Sequence, residues 1–366
     1  MITTIIVNYK SHLLTIRAAQ SVIQDLPNGQ VIVVDNSEDS QEVKSLEAGL
    51  PLGVELHIAP KNIGFGRACN LALGHARNES IFLLNPDAAV IPGCMEELQT
   101  FLESTPRAGA VSPLGFWDQA CSWYLPPGQM PSPAAEFAVN VAMRFPWLGK
   151  KASIGFRRWA LRRLRSSVAR KMDMLSGGHM FLRKSAIAAA GGLFDDEIFM
   201  YFEDTDLCRR LKSAGFDLYL LPGAHVVHSW RCEPGKAHLS EASRRYYQQK
   251  HFPSSKWHLV QRFFESRFPI RLLPSIDLGV LIAPPCLDVP PGIQAGWILE
   301  GSPHPLMIPS AYLAGTGATA TFSTEVWELL GEGNYWLQLT PDTAANVDGD
   351  TLRYAFRIPS PMHIGQ

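Results

Sequence analysis

A chain of 366 residues, 46% of them hydrophobic, can bury a sizeable core and is long enough for two domains. Its formal net charge of −1 gives no overall attraction to nucleic acid or membranes, so any such attraction must be local. No apolar stretch is long enough to span a membrane, and the first residues lack a basic segment followed by a cleavage site. We therefore expect a cytoplasmic protein, free or attached to the inner face of the cell membrane.

The first part of the chain alternates between short apolar runs and amphipathic stretches. The predicted strands and helix are, in chain order, Ile2–Val7, the helix His12–Leu26, Val31–Val34, Leu52–Ile58 and Ile81–Leu84. Such alternation predicts a mostly parallel sheet covered by helices, in which ligands bind beyond the carboxyl ends of the strands. Polar residues follow these strands, so we expect one crevice lined by Asn8, Asp35, Asn36, Asn62, Asn85 and Asp87.

These polar residues also have structural explanations. Asp35 and Asn36 can form a turn or cap a helix, because their side chains bond nearby backbone groups. The segment Asn62–Gly66 can be a glycine turn before a helix, and it lacks the third glycine of a dinucleotide-binding motif. An acid such as Asp87 at the end of a buried strand also suits a divalent cation, with a diphosphate providing further oxygen ligands.

The segment 144–171 contains ten Lys or Arg residues and no acid, interleaved with aromatic residues. Helical spacing places Phe156, Trp159, Ala160 and Leu164 near one face. Such a helix suits an anionic membrane surface, so peripheral membrane contact is predicted here. The alternative is a solvated basic face that binds an acidic partner. No nucleic-acid recognition motif accompanies the charge, so no nucleic-acid partner is expected.

Three carboxylates lie within four positions, at Glu203, Asp204 and Asp206, directly after an apolar and aromatic run. Burying them together is costly unless they have partners or a chemical role. Residues 207–214 have helical spacing, so the acidic segment is predicted at a helix N-terminus that faces a cleft. The alternative is an acidic cap that only complements the helix dipole.

The composition changes after residue 265. Prolines are dense up to residue 291, and short alternating stretches follow at 319–322, 335–339 and 352–358. We predict an α/β, Rossmann-like domain over 1–265 and a small all-β, sandwich-like domain over 266–366. Aromatic residues of the second domain could stack on sugar rings, although core packing is the more usual use of such side chains, here Trp297, Trp327, Tyr335 and Trp336.

Seven short segments form a joint pattern whose order in the chain is specific. They are Ile5–Tyr9, Val33–Ser37, Asn62–Asn70, Leu83–Ala88, Ser176–Gly178, Gly191–Asp195 and Glu203–Leu207. Over about residues 2 to 235 the chain resembles the GT-A family 2 glycosyltransferases, most closely the bacterial rhamnosyltransferase-like branch that builds surface polysaccharides. The likeness does not extend beyond about residue 265. It implies a GT-A fold for the first domain.

The resemblance implies a donor site. Asn8 and Asp35 match positions that hold the nucleotide base and ribose. The loop that closes over the nucleotide is matched by Asn62, Gly64 and Arg67.

The resemblance also implies a divalent cation, Mn²⁺ or Mg²⁺. Asp87 matches the last acid of the family's metal-binding Asp-x-Asp, and Asn85 replaces the first acid. Because one carboxylate is missing, His228 is implied as the second protein ligand, and imidazole suits Mn²⁺ better than Mg²⁺. The family often has a glycine shortly after this histidine, whereas Ser229–Arg231 follows here, so the conformation of that loop is left open.

Asp204 matches the catalytic base of the family, and Gly177, Gly178 and Glu203 match positions at the acceptor. In this chemistry a carboxylate removes a proton from an acceptor hydroxyl while that oxygen attacks the anomeric carbon. The attack comes from the face opposite the leaving nucleoside diphosphate, so the configuration inverts. Repulsion from Glu203 and Asp206, together with partial burial, is expected to raise the pKa of Asp204.

The resulting prediction is a metal-dependent, inverting glycosyltransferase. We expect dTDP-rhamnose as the nucleoside-diphosphate sugar donor and a polyprenyl-diphosphate-linked oligosaccharide as the acceptor, with another activated sugar as the alternative donor. A non-catalytic glycan-binding or assembly protein on the same fold is a second hypothesis. A sugar-phosphate nucleotidyltransferase is a third, although it would favour a glycine-rich basic loop that Ile5–Ser11 does not provide. An oligomer is left open.

Overall fold

The structure is a computed structural model that describes residues 1–231, 237–342 and 351–360. The first elements are β1 Ile2–Asn8, α1 His12–Asp25, β2 Gln30–Asp35, α2 Ser40–Gly49, β3 Glu55–Ile58, α3 Phe65–His75 and β4 Ser80–Leu84. Strands β3, β2, β1 and β4 lie side by side in that order and are parallel, as predicted. β3 begins later than predicted because Leu52 lies in a turn, where Gly53 has a φ of +90°.

Both faces of β1 and β2 are buried, which explains why their sequences are continuous apolar runs rather than alternating ones. Ile5 and Val7 enter the core on one side of the sheet, whereas Ile6 enters the core on the other side. The pairing register sets Asn8 opposite Asp35 at the carboxyl ends of the two strands. The predicted crevice therefore begins with two polar residues that are neighbours across the sheet.

The middle of the chain completes the sheet and its cover. Its elements are β5 Ala88–Val90, α4 Cys94–Ser104, β6 Ala108–Phe116, β7 Trp123–Leu125, α5 Pro133–Ala142, α6 Pro146–Leu164, β8 Arg170–Met172, β9 His179–Arg183, α7 Lys184–Ala189, α8 Glu203–Ser213, β10 Asp217–His228, α9 Ala237–His251 and α10 Trp257–Arg267. β9 is antiparallel between β4 and β6, and β10 lies parallel to β6. The last residues of β10 pair with β5 and set His228 opposite Ala88. This pairing brings the end of β10 to the end of β4.

The three acids of the acidic segment lie in the first turn of α8, so their predicted place at a helix N-terminus is confirmed. The helix begins at Glu203, earlier than the apolar spacing indicated. The two preceding residues, Tyr201 and Phe202, have φ of +65° and +68°. Large side chains rarely adopt this left-handed backbone, and such conformations cluster at functional sites.

The basic segment forms α6, and the residues predicted to share a face do so. Phe156 and Ala160 are buried, and Trp159 and Leu164 pack partly buried against the same core. This aromatic face covers the protein interior, so these four residues are not the membrane-facing side that the spacing predicted. Membrane contact by other residues of the basic segment stays a prediction. Hydrophobic spacing alone could not distinguish the two uses, because a core and a membrane select the same residues. Among the described helices, none is long and apolar enough to cross a membrane.

The C-terminal region is rich in strands, as predicted. Its elements are β11 Ile276–Val280, β12 Cys286–Asp288, β13 Trp297–Ser302, β14 Ala311–Gly315, β15 Thr319–Thr321, α11 Thr324–Leu329, β16 Gly333–Pro341 and β17 Leu352–Ile358. Five strands form a sheet in the order β11, β17, β16, β13, β14, and β12 pairs separately with β15. The two layers enclose a core that includes Leu287, Leu299 and Leu337, which is a sandwich-like arrangement. The helix α11 was not predicted.

The C-terminal sheet is hydrogen-bonded to the α/β sheet. β14 pairs with the short strand β7, so one continuous sheet of hydrogen-bonded strands extends from β11 to β3. Arg157 of α6 also forms a buried ion pair with Glu300 of β13. The sequence did not reveal this junction, because β7 has only three residues. Nothing in the sequence distinguishes Arg157, which is buried, from the other nine Lys and Arg residues of the basic segment. The domain boundary at residue 265 stays a prediction, and α10 ends just beyond it.

Candidate active site

Asp87 and His228 meet at the end of β4. Asp87 Oδ1 lies 3.3 Å from His228 Nε2, and Asn85 Nδ2 lies 3.4 Å from the same nitrogen. The backbone fixes this arrangement, since Ser229 N–H donates to the Asp87 carbonyl at 2.9 Å and Asn85 N–H donates to the Gly178 carbonyl at 2.8 Å. The structure thus brings together the two residues predicted as metal ligands. Metal binding itself stays a prediction.

The donor set at this point fits a divalent cation. Two ligands of one ion with bonds of about 2.1 Å stand about 3 Å apart, close to the 3.3 Å between Asp87 Oδ1 and His228 Nε2. Among the described residues, no group of three or more His, Cys, Asp or Glu is arranged to hold a metal. A cation held by this pair would therefore need further oxygen ligands from a bound molecule, such as a diphosphate. One imidazole in the set favours Mn²⁺ over Mg²⁺.

The consecutive glycines Gly177 and Gly178 connect this pair to the acidic segment. Gly177 N–H donates to Asp204 Oδ2 at 3.0 Å. A Cβ added to Gly178 would lie 2.8 Å from His228 Cε1 and 2.9 Å from Asn85 Nδ2, closer than real side chains approach. The two glycines therefore position Asp204 on one side of a short turn and His228 on the other. Their predicted contact with an acceptor stays a prediction.

Asp204 is half-buried in the first turn of α8. Its Oδ1 accepts from Thr205 N–H at 2.6 Å, and its Oδ2 accepts from Gly177. Burial raises the pKa of Asp204, and these hydrogen bonds oppose the shift only in part. The raised pKa agrees with the sequence prediction. Its main cause is burial rather than the expected repulsion from Glu203 and Asp206.

Glu203 is buried beside Asp204, and its Oε2 has no hydrogen-bond partner among the described residues. Burial, assisted by the Asp204 charge, raises the pKa of Glu203 to about 8. With this pKa, Glu203 is mostly protonated at neutral pH. Its unpartnered oxygen is free to bond water or a ligand group.

Asp206 is fully buried and has three cationic or basic partners. Arg210 Nε lies 2.7 Å from Oδ2, and Lys250 Nζ and His251 Nε2 each lie 2.7 Å from Oδ1. Burial alone would raise the pKa of Asp206, but the hydrogen bonds from Lys250, Arg210 and His251 outweigh it and lower the pKa. Asp206 therefore anchors α8 to α9. The sequence missed Lys250 and His251 because they follow more than forty positions later.

Asn8 and Asp35 form a buried cluster at the ends of β1 and β2. Asn8 Nδ2 donates to Asp35 Oδ1 at 2.7 Å and to Glu42 Oε2 at 3.0 Å. Asp35 Oδ2 accepts from Ser37 Oγ at 2.9 Å. The two residues thus satisfy each other inside the protein, which supports the structural explanation for this turn. Their predicted contact with a nucleotide stays a prediction.

Asn62, Gly64 and Arg67 lie in and after the loop that leads into α3. Gly64 has a φ of +85°, and a Cβ there would lie 2.5 Å from the Phe199 carbonyl oxygen, so the position requires glycine. Arg67 Nε donates to the Asp196 carbonyl at 2.7 Å. The loop is therefore fastened to the segment that directly precedes the acidic turn. Whether it closes over a nucleotide stays a prediction.

His179, at the start of β9, belongs to this site and was not predicted. Its ring centre lies 5.5 Å from that of His228, with the rings nearly perpendicular. Burial lowers the pKa of His179 to about 3, and the neighbouring His228 contributes to the shift. A neutral imidazole thus supports the His228 ring without adding charge. Its one sequence signal was its place directly after Ser176–Gly178, which does not distinguish a buried histidine from an exposed one.

The chain is similar to known proteins over this part of the structure. The family model described as "Glycosyltransferase like family 2" matches residues 2–252. The Mycobacterium tuberculosis (strain ATCC 25618 / H37Rv) protein named N-acetylglucosaminyl-diphospho-decaprenol L-rhamnosyltransferase is 30% identical over 228 residues, or 59% of this chain and 71% of that protein. Rhamnosyltransferase WbbL of Escherichia coli (strain K12) is 26% identical over 245 residues, or 63% and 80% of the two chains. The chain belongs to glycosyltransferase family 2.

A solved structure is also similar. Mannosyltransferase PcManGT from Pyrobaculum calidifontis, in complex with GDP-Man and Mn²⁺, matches with a TM-score of 0.43 and 18% identity, over 72% of this chain and 63% of that one. At this level the likeness supports no assignment of residues or ligands. The family match, together with the mostly parallel sheet and the C-terminal strands, confirms the fold class predicted from the sequence.

Proposed function

We propose that this protein is an inverting rhamnosyltransferase that moves rhamnose from dTDP-rhamnose to a polyprenyl-diphosphate-linked oligosaccharide in bacterial surface polysaccharide synthesis. The family match and two relatives named rhamnosyltransferases support the type of reaction, and one of those names contains a diphospho-decaprenol group. The observation that carries the proposal is Asp204, a half-buried carboxylate with a raised pKa that Gly177 holds next to the turn bearing His228. Such an acceptor would place the enzyme at the inner face of the cell membrane.

Asp204 acts as the general base. It takes the proton of one acceptor hydroxyl while that oxygen forms a bond to the anomeric carbon of rhamnose. The bond from this carbon to the diphosphate oxygen breaks on the opposite face, and the electron pair leaves with dTDP. The raised pKa suits this role, because a base whose pKa lies nearer to neutral accepts a proton more readily. The hydrogen bonds from the backbone N–H groups of Gly177 and Thr205 hold Asp204 in one orientation.

The leaving diphosphate requires neutralisation. Asp87 and His228 would hold a divalent cation, which when bound supplies positive charge to the diphosphate. Arg67, fixed on the loop beside the acidic turn, supplies a second positive charge. Neutral His179 keeps the His228 ring in place without competing for this role.

Glu203 binds the acceptor in this proposal. It is mostly protonated at neutral pH and can donate a hydrogen bond as well as accept one through its unpartnered Oε2. The nucleotide lies over the ends of β1 and β2 and contacts the cluster of Asn8 and Asp35, with Asn62 and Gly64 in the covering loop. A second candidate function, glycan binding by the C-terminal aromatics, is not favoured, since Trp297 and Tyr335 are core residues.

Donor binding can be tested by thermal unfolding of the full chain. The protein is heated with dTDP-rhamnose, UDP-sugars or GDP-sugars, each with and without Mn²⁺ or Mg²⁺. A ligand that binds the folded state raises its melting temperature, and saturation about a hundredfold above Kd corresponds to about 2.7 kcal/mol. We expect a shift with dTDP-rhamnose that is larger with Mn²⁺ and loses its metal dependence in Asp87→Ala. If the melting temperature rises only with another nucleotide sugar, the assignment of dTDP-rhamnose as the donor is wrong. If no nucleotide sugar raises it, the proposed transferase function is contradicted.

A further inference from the structure

The helix α10 has an inner aromatic face that fixes it to the protein. Phe264 packs against Phe137 of α5 at a ring distance of 5.5 Å, and against Phe145 and Phe268 at 6.0 and 4.7 Å. Trp257 also contacts Phe137 at 5.2 Å. These contacts use the apolar residues on one side of the helix. The helix is therefore held in place without help from its opposite side.

The opposite side of α10, which we call the outer face, is also apolar. It consists of Leu259, Val260 and Phe263, which are 55%, 45% and 71% exposed. At 100° per residue these three side chains fall within one arc of the helix. Single exposed apolar residues are ordinary, but a contiguous group marks a surface that another body covers. Between Leu259 and Phe263 no polar residue falls within this arc, and Arg267 lies at its C-terminal end.

The apolar surface continues beyond the helix. Ile270 and Leu272 follow at alternate positions and are exposed, and Phe268, which packs on Phe264 with one side, is 37% exposed before them. The Arg271 N–H donates to the Met143 carbonyl at 2.9 Å, which fixes this strip beside the start of α6. There Trp147 is exposed as well.

The charges around the outer face are positive. Lys256, Arg262 and Arg267 flank the apolar arc, and none of them forms an ion pair within residues 1–231, 237–342 and 351–360. The one acid of the helix, Glu265, points to the inner side, where it accepts from Asn140 Nδ2 at 2.5 Å and from Gln261 Nε2 at 2.9 Å. Since the whole chain has a net charge of −1, this positive surface is a local property.

We propose that the outer face of α10 and the strip 268–272 form a peripheral docking surface for an anionic lipid bilayer. Aliphatic and aromatic side chains enter the boundary between head groups and acyl chains, and the flanking Lys and Arg bind lipid phosphates. Arg262 also lines a cleft of about 550 Å³ between α5, α9 and α10, which leaves room for head groups beside the helix. This surface is distinct from the aromatic face of α6, which is buried.

The proposal extends the proposed function, because a lipid-linked acceptor lies at a membrane, but its test does not depend on sugar transfer. Full-length protein is floated with phosphatidylcholine vesicles that contain no anionic lipid or about 30% phosphatidylglycerol. We expect flotation only with the anionic vesicles, and its suppression by high salt. The variant Leu259→Ser/Phe263→Ser should bind at least about tenfold more weakly. The variant Arg262→Glu/Arg267→Glu should lose about as much.

Control variants carry the same type of change, apolar to Ser or basic to Glu, at exposed positions near the other edge of the sheet. They are Leu13→Ser/Leu52→Ser and Arg17→Glu/Lys44→Glu, and both should float like the wild type. The proposal is overturned if folded wild-type protein does not float, or if the two α10 variants float as well as their controls. It is also overturned if the wild type is a dimer that Leu259→Ser/Phe263→Ser dissociates, because a second copy would then cover this face. A normal donor-induced thermal shift in all variants separates failure of this proposal from failure of the proposed function.

Discussion

Asp204 and Asp206 occupy the same helical turn, yet their surroundings are opposite. Asp206 is fully buried against Arg210, Lys250 and His251, which keep it ionised and lower its pKa. Asp204 meets no cation among its described hydrogen-bond partners, only the N–H groups of Gly177 and Thr205 and the Thr205 hydroxyl, and its pKa is raised. One carboxylate anchors two helices, and the other has the raised pKa that the proposed general base requires.

Two carboxylates that are close in sequence can therefore have different roles. A charge that only stabilises the fold is neutralised by partners within hydrogen-bond distance, because an unpaired buried charge costs several kcal/mol. A catalytic base is left with a raised pKa and open access to a ligand.

Replacing the anchor should cause the largest loss of stability. Asp206→Asn leaves Arg210, Lys250 and His251 without a negative partner, and we expect the free energy of unfolding to fall by about 3 kcal/mol. Urea unfolding near neutral pH measures this change. The control Asp173→Asn removes an exposed partner of Lys212 and should cost less than about 0.5 kcal/mol. Equal losses in both variants would show that the Asp206 network does not anchor α8.

The next effect depends on pH. The pKa of Glu203 is about 8 in the folded protein against an ordinary 4.5, so the unfolded chain ionises first as the pH rises. Glu203 therefore destabilises the fold progressively between these two values and fully above the higher one. Glu203→Gln should be more stable than the wild type by at least about 2 kcal/mol near pH 9, with only a small difference near pH 4.5. A difference that does not grow with pH would contradict the raised pKa.

Substitutions at Gly177 and Gly178 should have different effects, because Gly177 lies against Asp204 and Gly178 against His228. Gly178→Ala places a Cβ 2.8 Å from His228 Cε1, and we expect a loss of about 1.5 kcal/mol together with weaker Mn²⁺ dependence of donor binding. Gly177→Ala meets Asp204 Cβ at a milder 3.2 Å and should cost less while changing the pH dependence of transfer. Thermal shifts with and without Mn²⁺ distinguish the two. Identical behaviour would mean that the glycines do not divide the site.

The smallest effect comes from removing one member of the anchor. Lys250→Met leaves Arg210 and His251 on Asp206, so we expect a loss of about 1 kcal/mol in urea unfolding. Lys212→Met, on the exposed side of α8, is the matched control and should be nearly neutral. If Lys212→Met lost more stability than Lys250→Met, the ion pair on the exposed side of α8 would matter more than the buried one at Asp206, which would contradict the anchor.

The sequence predicted the parallel sheet, the polar residues that follow β4 and the place of the three acids at a helix N-terminus. These features could be predicted because apolar runs and strand ends are local features of a sequence. It could not assign α6, whose aromatic spacing fits a membrane or a core equally well, and the structure shows a core. It overlooked α10, whose outer face of Leu259, Val260 and Phe263 is interrupted in sequence by residues of the inner face. It also missed His179 and Lys250, since both act through partners that only the fold brings near.

The most direct test of the account compares sugar transfer and donor binding in Asp204→Asn. The variant keeps the shape of the side chain but cannot accept the proton, so transfer from dTDP-rhamnose should fall by about a thousandfold. The donor-induced rise in melting temperature should remain that of the wild type, since the proposed function assigns Asp204 to the acceptor and not to the nucleotide. Transfer at wild-type rate, or parallel loss of transfer and donor binding, would contradict the role of Asp204 as the base.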